Sequence, residues 1–290
     1  MSGHYRSVFR DGLFAGQTVL ITGAGSGIGR CTAHELAALG ASIALVGRKI
    51  EKLEKVAAEL QPIFDRLNMG QKASLHTCDI REEEAVRATV VSVLEAHGRI
   101  DGLVNNAGGQ FPAPLKDISA KGWDAVVRNN LTGGFLMARE VYNQHMAGNC
   151  NGANLSIVNM IADMWMGMPG MGHSGAARAG MLNFTESAAL EWAPVRVNAV
   201  APGWIASSGM DTYPEPARTM IKSLYKNCPL QRMGTESEVA AAITFLLSPA
   251  ASFISGACIR IDGAAPNAKR VHPMIGNGHS NAAFDGYDEQ

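Results

Sequence analysis

Short runs of aliphatic and β-branched residues alternate along this chain with longer segments in which apolar and charged positions recur at helical spacing. Strands are predicted at 18–22, 42–47, 73–78, 100–106, 155–160, 195–200 and 258–262. Helices are predicted over about 27–39, 49–64, 81–98, 123–146, 174–192 and 236–247. The strand runs are apolar throughout rather than alternating, which is the pattern of parallel strands covered on both faces. Repeated βα units joined by right-handed crossovers predict the α/β class, with a doubly wound seven-stranded parallel sheet. Such a sheet binds ligands at the carboxyl ends of its strands, near the point where strand order reverses.

Composition narrows this picture. At about 150 residues per domain, 290 residues suggest two domains, but one α/β unit holds that length. With 47% hydrophobic and 18% charged residues the chain can build a large core. Lys+Arg 25 against Asp+Glu 26 gives −1, without the basic excess that a nucleic-acid or membrane-surface partner demands. Five cysteines with no CxxC read as reduced, mostly buried thiols of a cytoplasmic protein, and no metal site is expected. There is no apolar run of membrane-spanning length and no signal-peptide core at the N-terminus. The expected layout is an N-terminal extension at 1–13, one domain at 14–263 and a tail at 264–290. Two segments escape the βα pattern. Residues 201–235, rich in Pro, Gly, Ser and Met, are expected to form a flap over the substrate. The polar tail is expected to order only on a neighbour, or not at all.

The first strand runs into Thr22-Gly23-Ala24-Gly25-Ser26-Gly27-Ile28-Gly29. Gly23 suits a tight turn, Gly27 lets backbone approach a pyrophosphate, and Gly29 lets the helix pack close to the sheet. Gly25, Ser26 and Ile28 complete the loop, and the helix N-terminus offers N–H groups to phosphate. The second strand ends Gly47-Arg48-Lys49. A free ribose 2′-hydroxyl calls for Asp or Glu there, whereas Arg48 matches a 2′-phosphate, so NADP(H) is the expected cofactor. The plainer reading has Arg48 and Lys49 opening a solvated helix.

Together with Asn105-Asn106-Ala107-Gly108 after the fourth strand and Pro202-Gly203 after the sixth, this turn resembles the short-chain dehydrogenase/reductase family over roughly 14–265. The resemblance implies a single-domain Rossmann fold with strand order 3-2-1-4-5-6-7, usually in a homotetramer. It implies that Asp79 and Ile80 hold the adenine, and that Asn105, Ala107 and Gly108 line the adenosine side. It also places Pro202, Gly203 and Ile205 near the nicotinamide, with Ile205 meeting its carboxamide.

The chemical end departs from the family. Its members work with Asn, Ser, Tyr and Lys, the last two spaced YxxxK on one helix face. Asn130 matches the Asn. Ala162 stands at the Ser position, Ser174 at the Tyr position and Arg178 at the Lys position, and no Tyr lies between Tyr142 and Tyr213. His173-Ser174-Gly175-Ala176-Ala177-Arg178-Ala179-Gly180 resembles the peroxisomal trans-2-enoyl-CoA reductase branch, with the 2,4-dienoyl-CoA reductases further off. That branch implies hydride addition to a C=C bond conjugated to a thioester. Its Tyr four residues past the basic residue is Leu182 here.

Ser174 and Asn130 are then candidate donors to an enolate oxygen. Arg178 supplies fixed positive charge and binds the nicotinamide ribose. Asp163, just after Ala162, is a further candidate group. The plainer readings make Ser174 a helix N-cap, Asp163 a turn residue, His173 structural and Asn130 a link between helix and sheet. Met164, Met166, Met168 and Met171 read as a soft wall for an acyl or terpenoid chain. Three functions compete: an enoyl-thioester reductase acting on acyl-CoA, an alcohol or aldehyde dehydrogenase for medium-chain or isoprenoid substrates, and a nucleotide-binding protein without turnover.

Overall fold

A computed structural model of the chain describes residues 5, 9–207, 219, 223–265 and 279–287. Seven strands make one parallel sheet: β1 Thr18–Thr22, β2 Ser42–Gly47, β3 Ala73–Thr77, β4 Gly102–Asn105, β5 Ser156–Met160, β6 Arg196–Pro202 and β7 Cys258–Ile261. Their order is β3-β2-β1-β4-β5-β6-β7, as expected for the Rossmann arrangement. Chain order therefore reverses between β1 and β4, and the crevice for a ligand opens there. β1 is buried at all five positions, which is why its residues are apolar or β-branched without alternation.

Helices of eight residues or more among the described residues are α1 Gly27–Ala38, α2 Ile50–Leu67, α3 Glu83–His97, α4 Ala120–Val127, α5 Gly133–Val141, α6 Gly172–Glu191 and α7 Glu236–Leu247. α2 buries Leu53, Val56, Leu60, Ile63 and Phe64, one stripe of an otherwise charged helix, and runs on through Pro62. α7 starts with a reciprocal cap between Thr235 and Glu238. One apolar layer packs α1, α2 and α7 on the sheet; the other packs α3, α5 and α6 on the opposite face. α4 passes through a π turn at Arg128–Thr132 into α5, and a second π turn at Tyr142–Met146 follows. The five cysteines are free thiols, with Cys31, Cys78 and Cys228 buried.

One expectation changes, and another falls partly outside the described residues. Part of the tail is ordered on its own chain: Ser237 Oγ donates to Asp285 Oδ1 at 3.2 Å, and Thr235 Oγ1 donates to the Phe284 carbonyl at 2.5 Å. Tyr287 stacks edge-on against Tyr5 at 5.0 Å, and Tyr5 is only 2% exposed, so these two residues from opposite ends of the chain join the core on α1. The flap reading falls on 201–235, of which 208–218 and 220–222 lie outside the described residues, Tyr213 among them. The described part includes a two-stranded parallel ribbon pairing Ile205 with Gly234 and Ala206 with Thr235, and a 3-10 turn at Leu224–Asn227. No helix among the described residues is long and apolar enough to cross a membrane.

Candidate active site

Between β1 and α1 the chain turns through Gly23 and Gly27, both with positive φ (67° and 59°), where a side chain would be strained. Gly29 is needed for a different reason. A Cβ there would sit 2.5 Å from the Gly23 carbonyl and from Asn106 Nδ2, so α1 could not approach the strand ends. Thr22 Oγ1 accepts from the N–H groups of Asn106 and Ala107, each at 3.0 Å, and ties β1 to the segment after β4. Ser26 occupies the cap position of α1 but makes no side-chain cap bond, leaving that helix end for an outside acceptor.

Over this turn lies a cleft of about 290 Å³. Gly23, Gly25, Ser26, Arg48, Asp79 and Ile80 are among its walls, as are Ala107 and Gly108. An uncapped helix end beside a bare glycine turn and an exposed guanidinium fits a phosphorylated dinucleotide. Arg48 has no carboxylate within ion-pair distance among the described residues. Asp79 is held differently: Arg81 grips its carboxylate, lowering its pKa to about 2. Its side chain is thus engaged within the protein.

Asn105 departs from expectation. Its Nδ2 donates to the Gly134 carbonyl at 3.0 Å and to Asn159 Oδ1 at 2.9 Å, under the sheet ends. The neighbouring Asn106 lines the cleft instead. Gly27, Ile28 and Gly29 shape the turn without lining the cleft, while Pro202, Gly203 and Ile205 stand at the carboxyl end of β6, outside its walls.

At the chemical end, Arg178 and Asn130 meet. The Arg178 Nη2 donates to Asn130 Oδ1 at 3.2 Å, and its Nη1 donates to the Met160 carbonyl at 2.5 Å. No carboxylate lies within ion-pair distance among the described residues, and the Arg178 Nε has no partner. Arg178 is 8% exposed, and burial lowers its pKa to about 10, which leaves it charged at neutral pH. The π turn presents Asn130 to the loop after β4, where its Oδ1 accepts from Gly109 N–H and its Nδ2 donates to the Gly109 carbonyl, both at 2.9 Å. Gly108 fits only because it lacks a Cβ, which would lie 2.5 Å from Arg178 Nη2.

Ser174 sits one turn before Arg178 on α6. It is not the N-cap: α6 begins at Gly172, and Met171 holds the cap position. Ser174 is fully buried, and its Oγ donates to Gln110 Oε1 at 2.5 Å. His173 is also fully buried, accepting Ser174 N–H at its Nδ1 and meeting Phe111 edge-on at 4.6 Å. Asp163 lies apart from this group. Burial and the Asp262 charge raise its pKa, with Arg260 opposing them. Of the methionines read as a wall, Met166 is 70% exposed, and Met168 packs on Gly175. Asn106 and Gln110 carry no role in the sequence reading; Asn106 lines the cleft, and no local pattern marks Ser174 as the partner of Gln110.

A family model described as Enoyl-(Acyl carrier protein) reductase matches residues 23–264. The chain belongs to the short-chain dehydrogenase/reductase family. It is an oxidoreductase of that family, whose members use a nicotinamide dinucleotide. This short-chain dehydrogenase/reductase is 36% identical over 252 residues to a probable 2,4-dienoyl-CoA reductase of Bacillus subtilis (strain 168), covering 85% of this chain and 95% of that one. It is also 36% identical over 253 residues to a glucose 1-dehydrogenase of Gluconobacter oxydans (strain 621H), covering 86% and 92%. The solved citronellol catabolism dehydrogenase (AtuB) of Pseudomonas aeruginosa PAO1 shares 61% identity at a TM-score of 0.77, over 90% of this chain and 99% of that one.

Proposed function

We propose that this short-chain dehydrogenase/reductase is an NADP(H)-dependent reductase of enoyl thioesters, with acyl-CoA as the substrate class. Arg178 carries the reading: a buried guanidinium facing only a carbonyl and an amide oxygen is a permanent positive charge with no counter-ion. Removing such a charge from water costs several kcal/mol. A site that must stabilise a forming anion gains from that charge, because it is strongest in a dry surrounding. Reduction of a conjugated thioester forms such an anion, the enolate. When bound, NADPH supplies the hydride to Cβ. Proton delivery to Cα is separate, and Arg178 does not provide it, since a guanidinium holds its proton. Water is the proton source; Asp163, whose pKa burial and the Asp262 charge raise, is a further candidate group just past the carboxyl end of β5. Asn130 positions the Gly108-Gly109 backbone rather than donating to substrate, because its amide is engaged on both sides.

Arg48 supports NADPH over NADH, since its guanidinium is exposed and unpaired at the end of β2. The remaining cofactor residues keep their proposed roles: Gly23, Gly25, Ser26, Gly27, Ile28 and Gly29 at the phosphates, Asp79 and Ile80 at the adenine, and Pro202, Gly203 and Ile205 toward the nicotinamide. The exposed Leu190 (83%) and Phe253 (104%) support assembly, proposed as a homotetramer in the cytoplasm. A second reading, oxidation or reduction of an isoprenoid alcohol or aldehyde, is favoured by the 61% identity to the citronellol catabolism dehydrogenase.

The test follows NADPH absorbance at 340 nm with crotonyl-CoA and then with citronellal. Consumption with the thioester alone supports the reductase. Consumption with the aldehyde alone overturns it in favour of the second reading, and NADPH binding without consumption of either overturns both.

A further inference from the structure

Residues 281–287 cross the adjoining ends of α7 and α1 as a strap. On α7, Thr235 Oγ1 donates to the Phe284 carbonyl, and Ser237 Oγ donates to Asp285 Oδ1 and accepts Gly286 N–H at 3.1 Å. Arg232, just before that helix, donates from Nε to Asn281 Oδ1 at 3.0 Å. On α1, the Arg30 guanidinium lies 5.0 Å over the Tyr287 ring, and His34 meets that ring edge-on at 5.2 Å. Cys31 Sγ stands 3.4 Å from Ser237 Oγ and joins the two helices under the strap.

The same two helix ends shape the dinucleotide site. Arg30, Cys31 and His34 fall in the first two turns of α1, which begins at Gly27 in the glycine turn. Thr235 caps α7, and Ser237 lies in its first turn. Between them is Glu236, whose Oε1 would lie 3.7 Å from a Cβ on Gly27. One turn of α7 therefore carries the strap through residues 235 and 237 and abuts the glycine turn through residue 236. A glycine turn loses much conformational freedom when a ligand orders it. Neighbours that hold it beforehand lower that cost and tighten binding. The strap is also built to open alone. Residues 279–283 are exposed, and of 284–287 only Gly286 is buried. A segment with so little buried apolar surface opens at low free energy while the sheet stays folded.

We propose that residues 281–287 form a latch on the dinucleotide site, so that docking of the strap on α1 and α7 and binding of the cofactor favour one another. The inference rests on the dinucleotide reading of the cleft and is independent of the substrate. The coupling is reciprocal: the factor by which the docked strap tightens cofactor binding is the factor by which bound cofactor holds the strap.

The experiment measures amide hydrogen exchange over 282–287 in the full-length protein, with and without saturating dinucleotide (NADPH, or NADH if the protein prefers it). Dinucleotide affinity is titrated in the parent, Gly286→Ala, Tyr287→Ala and Val93→Ala. A Cβ at Gly286 overlaps the Tyr5 ring and opens the strap, whereas Val93→Ala loosens the apolar layer on the other face of the sheet. Bound dinucleotide is expected to slow exchange at the Gly286 amide about tenfold, and Gly286→Ala is expected to weaken dinucleotide binding by the same factor. Tyr287→Ala, the milder change, is expected to weaken it in the same direction. Val93→Ala is expected to lower Tm with dinucleotide affinity unchanged, which separates the latch from a general loss of stability. Exchange over 282–287 that is identical with and without bound dinucleotide overturns the latch and leaves the cofactor reading standing. So does an affinity loss in Val93→Ala that matches the loss in Gly286→Ala. A parent that binds neither NADPH nor NADH overturns the cofactor reading, and the latch with it.

Discussion

At the carboxyl ends of β2 and β3 the charges facing the cleft are exposed or already paired: Arg48 is open to solvent, and Asp79 is gripped by Arg81. At the end of β5 the charge is Arg178, buried against a carbonyl and an amide. A guanidinium in water recognises phosphate with little desolvation and loses much of its pull to salt. A buried one keeps its field undiminished but weakens the fold that carries it. The first arrangement suits binding and the second suits stabilising a charge that exists only during reaction. The edge of the sheet shows a third outcome. There Ser74 Oγ lies 2.7 Å from the Nε2 atoms of both His76 and His97, and burial lowers the pKa of each imidazole. A histidine can lose its charge on burial; Arg178 cannot.

Replacing the buried charge tests this contrast most strongly. Arg178→Met is expected to reduce kcat with crotonyl-CoA by about 10²–10³-fold, while Tm stays level or rises because the desolvation penalty is gone. Loss of activity together with a fall in Tm counts against it. On the dinucleotide side the largest effect is steric. Gly29→Ala places a Cβ against the Gly23 backbone and is expected to cost on the order of 3 kcal/mol in urea unfolding and to weaken NADPH binding. Arg48→Ala acts on specificity alone: the NADPH-to-NADH preference in kcat/KM is expected to fall about tenfold, with less effect as salt rises. An unchanged ratio removes the argument for NADP(H).

The smallest effect belongs to the sheet edge. His97 has a pKa lowered from 6.5 to about 4, chiefly by burial and then by Lys72 and His76. Folding therefore favours its neutral form. The resulting stability is fully present above pH 6.5 and drains away as pH falls toward 4. His97→Gln is expected to remove a pH-dependent contribution on the order of 1 kcal/mol between those limits, read as a shallower fall of Tm with acidification. Parallel Tm curves for the two proteins contradict it.

The strand order and the glycine turn were legible because each is written in neighbouring residues. Continuous apolar runs mark buried strands, and a turn with positive φ demands glycine wherever it occurs. The identity of the donors was not legible in this way. Ser174 and Asn130 both read as free donors, yet one is engaged by a residue 64 positions away and the other by an amide 21 positions away. Asn105 and Asn106 are adjacent, and only packing against Gly134 and Asn159 sends one inward while the other lines the cleft. The tail looked partnerless, and Tyr5, Ser237 and Tyr287 gather it onto α1 and α7. Local pattern sets which backbone conformations are cheap. The direction of a side-chain hydrogen bond depends on which distant acceptor the fold brings within about 3 Å, and only the assembled chain decides that.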